Sequence, residues 1–160
     1  MPKTRIAEKI AFIGGGQMAE ALIAGLVATH CCEPDQIWAT DPVAQRCDTL
    51  KRLHGVRVGS SNRDAAGWAG IIVLAVKPQI IDGVMNDIAG ELTRALTISV
   101  AAGIPIQVIT KAGGTGTRVV RAMPNTPAMV QEGMTALASG PGVSESDAGT
   151  ARTIFESVGK

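Results

Sequence analysis

Tyrosine is absent from this chain, and its aromatic residues are Phe12, Trp38, Trp68 and Phe155 alone. So few rings leave no platform on which the bases of a single strand can stack. An excess of either charge is missing too, with 15 basic residues against 14 acidic ones and a formal net charge of +1. A protein that tracks phosphates needs a basic surplus, so nucleic acid is excluded as a partner. Cysteine is scarce: Cys31, Cys32 and Cys47 are odd in number and irregular in spacing, which suits neither a disulfide framework nor a zinc site. The neighbours Cys31 and Cys32 read as plain thiols where a helix runs into a loop. His30 and His54 are too far apart in sequence to form a local ligand pair, and no metal is expected. No apolar run approaches the ~20 residues of a membrane span. The stretch IAFIGGG at 10–16 is too short and too glycine-rich for the core of a secretory leader. A reducing cytoplasm is the expected compartment, and no membrane partner is expected.

What is present is apolar residue, 46% of the 160, in alternating short and long patterns. A chain of roughly 150 residues buries about 70% of its unfolded surface, enough for one domain with a real core. Strand-length runs occur at Ile10–Ile13, Ile37–Thr40, Val56–Val58, Ile71–Val76, Ala95–Val100 and Arg118–Arg121. Residues 71–76 and 96–100 are nearly all apolar, as parallel strands covered on both faces must be. Helical spacing lies between the runs. Met18, Leu22 and Leu26, with Ala19, Ile23 and Val27, form an i, i+4 ladder on the first helix. Val43–Leu53 carries a second, with Asp41 or Pro42 at its start. Pro78 opens a third towards Gly90 and Pro105 a fourth, proline being suited to a first helical turn. Later, Met134–Ala138 is a further strand candidate, possible as an antiparallel one, and Ser144–Val158 a last helix with Ser144 and Asp147 in capping-box spacing. Strand–helix alternation of this kind predicts an α/β fold of Rossmann type: a doubly wound, mostly parallel sheet with helices on both faces.

The most informative motif is Gly14-Gly15-Gly16-Gln17-Met18-Ala19, a G-x-G-x-x-A pattern between an apolar strand and an amphipathic helix. Gly14 permits the tight turn and Gly16 lets the backbone approach a pyrophosphate, while Ala19 keeps the helix close to the sheet. The helix start offers free N–H groups to the anion. Asp41 ends the second strand 25 residues after Gly16, where such folds place the residue that reads the adenosine ribose. A carboxylate there accepts from both ribose hydroxyls and repels a 2′-phosphate, which favours NAD. The alternative is that Asp41 merely caps the next helix, and Arg46, one turn in, can answer a phosphate instead. Two further motifs, Ala75-Val76-Lys77-Pro78 and Met123-Pro124-Asn125-Thr126-Pro127-Ala128, sit at the ends of later strands. The glycine turn, Lys77 and Asn125–Thr126 therefore converge on one crevice outside the carboxyl ends of the sheet. No strand end carries a His–carboxylate pair, and there is no serine elbow and no G-K-[ST] phosphate loop. The chemistry is the cofactor's own.

With these residues in hand, the sequence resembles the pyrroline-5-carboxylate reductases. The matching stretches are IGGGQMAEALIAGL (13–26), LAVKPQ (74–79), SVAAGI (99–104) and RAMPNTPAMVQEGMT (121–135), in the family's order and spacing. The last is far more specific than the glycine motif. The resemblance implies NADPH- or NADH-dependent reduction of 1-pyrroline-5-carboxylate to L-proline, an oxidoreductase step of proline biosynthesis. It implies that Ile13, Gly14, Gly15, Gly16, Gln17 and Met18 hold the pyrophosphate. It places Thr40, Asp41 and Asn62 on the adenosine side. Ala75, Val76, Lys77, Pro78, Val100, Ala101 and Ala102 then line the nicotinamide side, with Asn125 beside the nicotinamide or the substrate. No catalytic acid is indicated. Members often prefer NADPH and carry Ser, Asn or Arg where this chain has Asp41.

The resemblance also implies that residues 1–160 are the dinucleotide-binding domain. Members continue into an all-helical domain that forms the homo-oligomer and supplies much of the imine pocket. By that reading the 160 residues alone bind cofactor but are inactive and do not make proline. The alternatives are a non-catalytic dinucleotide-binding module and another imine or β-hydroxyacid reductase on the same domain; the MPNTPA stretch argues against the latter.

Overall fold

The computed structural model describes residues 4–159. Within them, seven strands form a single sheet: β1 (Ile10–Ile13), β2 (Ile37–Thr40), β3 (Arg57–Gly59), β4 (Ile71–Leu74), β5 (Leu96–Ser99), β6 (Arg118–Pro124) and β7 (Thr135–Ser139). Their order is β3-β2-β1-β4-β5-β6-β7. Every pairing from β3 to β6 is parallel, and β7 runs antiparallel to β6. The predicted doubly wound, mostly parallel architecture is borne out.

Every residue of β1, β2, β4 and β5 is buried, because helices cover both faces of the sheet. One face, through Ile10, Phe12, Val73 and Ile98, packs against α1 (Gln17–Ala28), α2 (Ala44–His54) and α6 (Glu145–Glu156). The other, through Ala11, Ile13, Ile72 and Leu74, packs against α3 (Asn62–Trp68), α4 (Ile81–Ile88) and α5 (Ile106–Gly113). In α4 the buried residues are Ile81, Val84, Met85 and Ile88, the i, i+3, i+4, i+7 stripe of a half-buried helix. Burying each such side chain contributes about 1.5–3 kcal/mol, which anchors a helix too short to persist alone.

Local chemistry sets most element ends. Ser144 accepts the Asp147 N–H at 3.0 Å while Asp147 accepts the Ser144 N–H at 3.1 Å, the reciprocal box its spacing predicts. Pro105 stands immediately before α5, and Pro78 opens a short 3-10 turn, Pro78–Ile80, that leads into α4. Cys31 and Cys32 lie just beyond α1 as free, buried thiols.

Several boundaries differ from the sequence pattern. The strand expected over 71–76 stops at Leu74, since the chain turns away after Ala75 donates to Ile13 O at 2.8 Å. The strand expected to end at Arg121 runs on to Pro124, because β7 pairs with it as far as Pro124 opposite Thr135. The expected strand 56–58 is shifted by one residue. Helix α2 starts at Ala44 after Val43 rather than at Asp41 or Pro42. Helix α3 carries no ladder to betray it: it has seven residues and buries only Ala65 and Ala66. Among the described residues no helix is long and apolar enough to cross a membrane.

Candidate functional site

Strand order reverses at β1, where β2 and β3 lie to one side and β4 to β6 to the other. In open parallel sheets this reversal opens a crevice at the carboxyl ends of the strands. The glycine turn lies on it. Gly14 adopts φ +103°, a conformation open to glycine, and donates its N–H to Thr40 O at 2.9 Å. A Cβ there would stand 2.5 Å from the carbonyl oxygen of Ala75, so β1 and β4 approach too closely for any side chain. Gly15 is buried; it donates to Asp41 Oδ2 at 2.9 Å and accepts from Arg46 Nε at 2.7 Å.

Gly16 differs from both. It is exposed, extended, and has no heavy atom within 4 Å of where a Cβ would be. It precedes α1, whose first turn no side chain caps. The start of a 12-residue helix therefore presents unpaired N–H groups and the positive end of its dipole to open space. That combination fits an anion such as a pyrophosphate.

Two cavities meet over this turn. One, about 420 Å³, runs from Thr40, Asp41, Ser60 and Asn62 across Ile13–Gly16 to Ala75–Lys77. The second, about 540 Å³, takes Gly16–Met18 and Ala75–Pro78 on to Val100–Gly103 and Arg121–Pro124. Gly16 and Ala75–Lys77 belong to both, so the two form one groove across the reversal. Of the residues singled out from the sequence for the cofactor, Asn125, Thr126 and Arg46 stand outside this groove and the others line it, so the expected convergence of Asn125–Thr126 on the crevice is not met. Asn125 is exposed just past Pro124, and its Oδ1 accepts the Met134 N–H at 2.9 Å, holding the turn that leads into β7. Thr40 is wholly buried and donates to Asn62 Oδ1 at 2.6 Å, tying α3 to the end of β2. Lys77 is exposed. Residues not anticipated include Pro42, Val43, Ser60, Gly103 and Arg121; Ser60 and Arg121 were discoverable as polar residues at strand ends.

Asp41 is not the cap of α2; its Oδ1 accepts the Val43 N–H at 2.8 Å while Oδ2 holds Gly15. Arg46 spans from the Gly15 carbonyl to Glu20 Oε2 at 2.7 Å, and His54 Nε2 lies 3.3 Å from the other Glu20 oxygen. The Arg46 hydrogen bond holds the Glu20 carboxyl below the ordinary range, against the opposing cost of its partial burial. A separate recess, about 730 Å³, lies between the end of α5 and the start of β6, at the amino end of that strand and so away from the groove. It faces a helix carboxyl end, and Arg118 on its wall is already paired with Asp147 at 2.7 Å. The groove over the glycine turn, where the strand order reverses and α1 begins uncapped, is the better candidate.

Comparison with known proteins agrees with this geometry. Residues 9–103 match the family described as NADP oxidoreductase, coenzyme F420-dependent. The chain belongs to this family. It is 42% identical over 151 residues to a pyrroline-5-carboxylate reductase of Synechocystis, covering 94% of this chain and 56% of that protein. The solved pyrroline-5-carboxylate reductase of Coxiella burnetii superposes with a TM-score of 0.92 at 36% identity, over 96% of this chain and 57% of that one. The Plasmodium falciparum pyrroline carboxylate reductase, solved with NADP bound, superposes with a TM-score of 0.85 at 32% identity, over 97% and 56%. The resemblance read from the glycine turn and the MPNTPA stretch is thus borne out. The chain spans just over half the length of the relatives it matches.

Proposed function

We propose that this chain is the cofactor-binding part of an enzyme that reduces 1-pyrroline-5-carboxylate to L-proline with NADH or NADPH. The observation that carries the proposal is the uncapped start of α1 behind the open Gly16, set where the strand order reverses. The 42% identity to a pyrroline-5-carboxylate reductase supports the choice of substrate. When bound, the dinucleotide supplies the hydride that adds to the C=N carbon, and the imine nitrogen takes a proton. What these residues contribute is binding and orientation. The backbone of Ile13–Met18 holds the pyrophosphate at the helix start. Asp41 and Asn62 hold the adenosine ribose, and Thr40, buried behind them, fixes Asn62. Ala75–Pro78 and Val100–Ala102 form a mostly apolar wall that orients the nicotinamide, with Asn125 at its rim.

By the same reading residues 1–160 are one dinucleotide-binding domain, and the enzyme's imine pocket and homo-oligomer contacts come from a further helical domain. Met123, exposed on the wall of the groove, and the exposed Met129, Val130 and Met134 that follow it in sequence support a second wall there. Fixing an imine within hydride reach is worth roughly 7–11 kcal/mol of the barrier. The 160 residues alone are therefore expected to bind NADH or NADPH yet reduce 1-pyrroline-5-carboxylate many orders of magnitude more slowly than a full-length reductase. The three free thiols suit a reducing cytoplasm. Calorimetric titration with both coenzymes, followed by coenzyme oxidation in the presence of 1-pyrroline-5-carboxylate, tests the proposal. Failure of both coenzymes to bind would refute it. Full turnover by this chain would place the whole catalytic pocket within residues 1–160.

A further inference from the structure

We propose that the groove selects the dinucleotide that lacks a 2′-phosphate, and that Glu20 enforces the choice by withholding Arg46. The inference rests on the dinucleotide reading above and deepens it. It starts from the Asp41 carboxylate, which lines the β2 end of the groove. Backbone N–H groups from Gly15 and Val43, at 2.9 and 2.8 Å, each engage one of its oxygens and fix its position. A carboxylate has about four lone-pair sites, so two remain for a ribose diol, which is a double donor. A 2′-phosphate has no hydrogen to donate at neutral pH and brings up to two negative charges against the fixed one.

Such a phosphate would need a cation, and the nearby cations are engaged elsewhere. Arg46 gives Nε to the Gly15 carbonyl and Nη2 to Glu20, and Glu20 is held from its other oxygen by His54. Arg63, next to Asn62, donates to Asp87 O at 3.2 Å and lies 3.9 Å from that residue's carboxylate. Among the described residues lining this cavity, Lys77 is the one base. It follows β4, two strand spacings from β2, or roughly 10 Å away. Asp41 therefore acts directly on the coenzyme, and Glu20 is a positioning residue that acts through Arg46.

The test is a set of calorimetric titrations with NADH and NADPH, and the readout is the ratio of the two affinities. A purely structural role for Asp41 or Glu20 would weaken both coenzymes alike and leave that ratio unchanged. The native chain is expected to bind NADH at least tenfold more tightly than NADPH. Asp41→Ser should bring the two within a few-fold of each other. Adding Glu20→Gln should then raise NADPH affinity about five- to tenfold with NADH unchanged, and Arg46→Met in that background should abolish the gain. Tighter binding of NADPH than NADH by the native chain overturns the selectivity without touching the dinucleotide reading. Binding of neither coenzyme overturns that reading and this inference with it. If Asp41→Ser relaxes selectivity but Glu20→Gln adds nothing, the withholding of Arg46 is refuted. The native ratio decides the first point even where a variant fails to fold.

Discussion

Two glycines of one turn, two residues apart, should fail in opposite ways when given a side chain. At Gly16 a Cβ meets no atom within 4 Å. Gly16→Val therefore costs the fold little beyond exchanging a tolerable helix cap for a poor one, about 1 kcal/mol. The melting temperature should fall by roughly 2–4 °C. Its methyl groups, however, occupy the approach to the first-turn N–H groups of α1. Losing two charge-assisted hydrogen bonds at about 1.5–3 kcal/mol each weakens dinucleotide binding by roughly 10²- to 10⁴-fold. At Gly14 the balance reverses. Gly14→Ala forces a side chain into φ +103°, with its Cβ 2.5 Å from Ala75 O. Left-handed strain of about 1–2 kcal/mol and overpacking of about 1–3 kcal/mol should lower the melting temperature by roughly 5–15 °C. Thermal melts followed by circular dichroism, alongside calorimetric titration with NADH, separate the two. Wild-type affinity in Gly16→Val would refute the pyrophosphate assignment. A Gly16→Val chain melting as early as Gly14→Ala would refute the account of the space around the turn.

Cys31, Cys32 and Cys47 are 0%, 2% and 8% exposed, and burial, with help from neighbouring charges, pushes the Cys32 thiol up to about 12. A chromogenic disulfide reagent at neutral pH should react slowly with the native chain and with three thiols at once in denaturant; rapid labelling of any of them would contradict the packing. Asp147 is also held below the ordinary carboxylate range, its burial outweighed by bonds from Ser144 and Arg118. Groups depressed in this way stabilise the fold above the unfolded value and lose that contribution as pH falls through the folded one. Melting temperature should therefore drop below about pH 4, less steeply in Glu20→Gln and Arg118→Met; an unchanged slope in both variants would count against these pairs. Gly25→Ala puts a Cβ 2.6 Å from Ser157 O on the face where α1 meets the end of α6. Overpacking of about 1–3 kcal/mol should exceed the helix-propensity gain of about 1 kcal/mol and lower the urea midpoint, and a raised midpoint would show that this contact yields freely.

Local pattern alone determined much of this protein. Strands β1 and β2 fall where apolar runs of four residues predict them, and the glycine turn follows β1 directly. The Ser144–Asp147 box and the prolines at 78 and 105 mark helix starts because each acts through backbone groups within three or four residues of itself. Even the groove was legible, since most of its lining consists of residues immediately beyond strand ends. Helix α3 was not, because seven residues with two buried alanines leave no periodic trace. Nor could sequence say what Asp41 and Arg46 bond to. Their partner Gly15 lies 26 and 31 residues away, and the meeting depends on β1 and β2 pairing in parallel with Ile13 opposite Thr40. Asn125 turned to Met134 for the same reason, once β7 folded back antiparallel on β6. Residue type limits which bonds a side chain can make, but only the register of strands distant in sequence decides which partner stands within 3 Å of it.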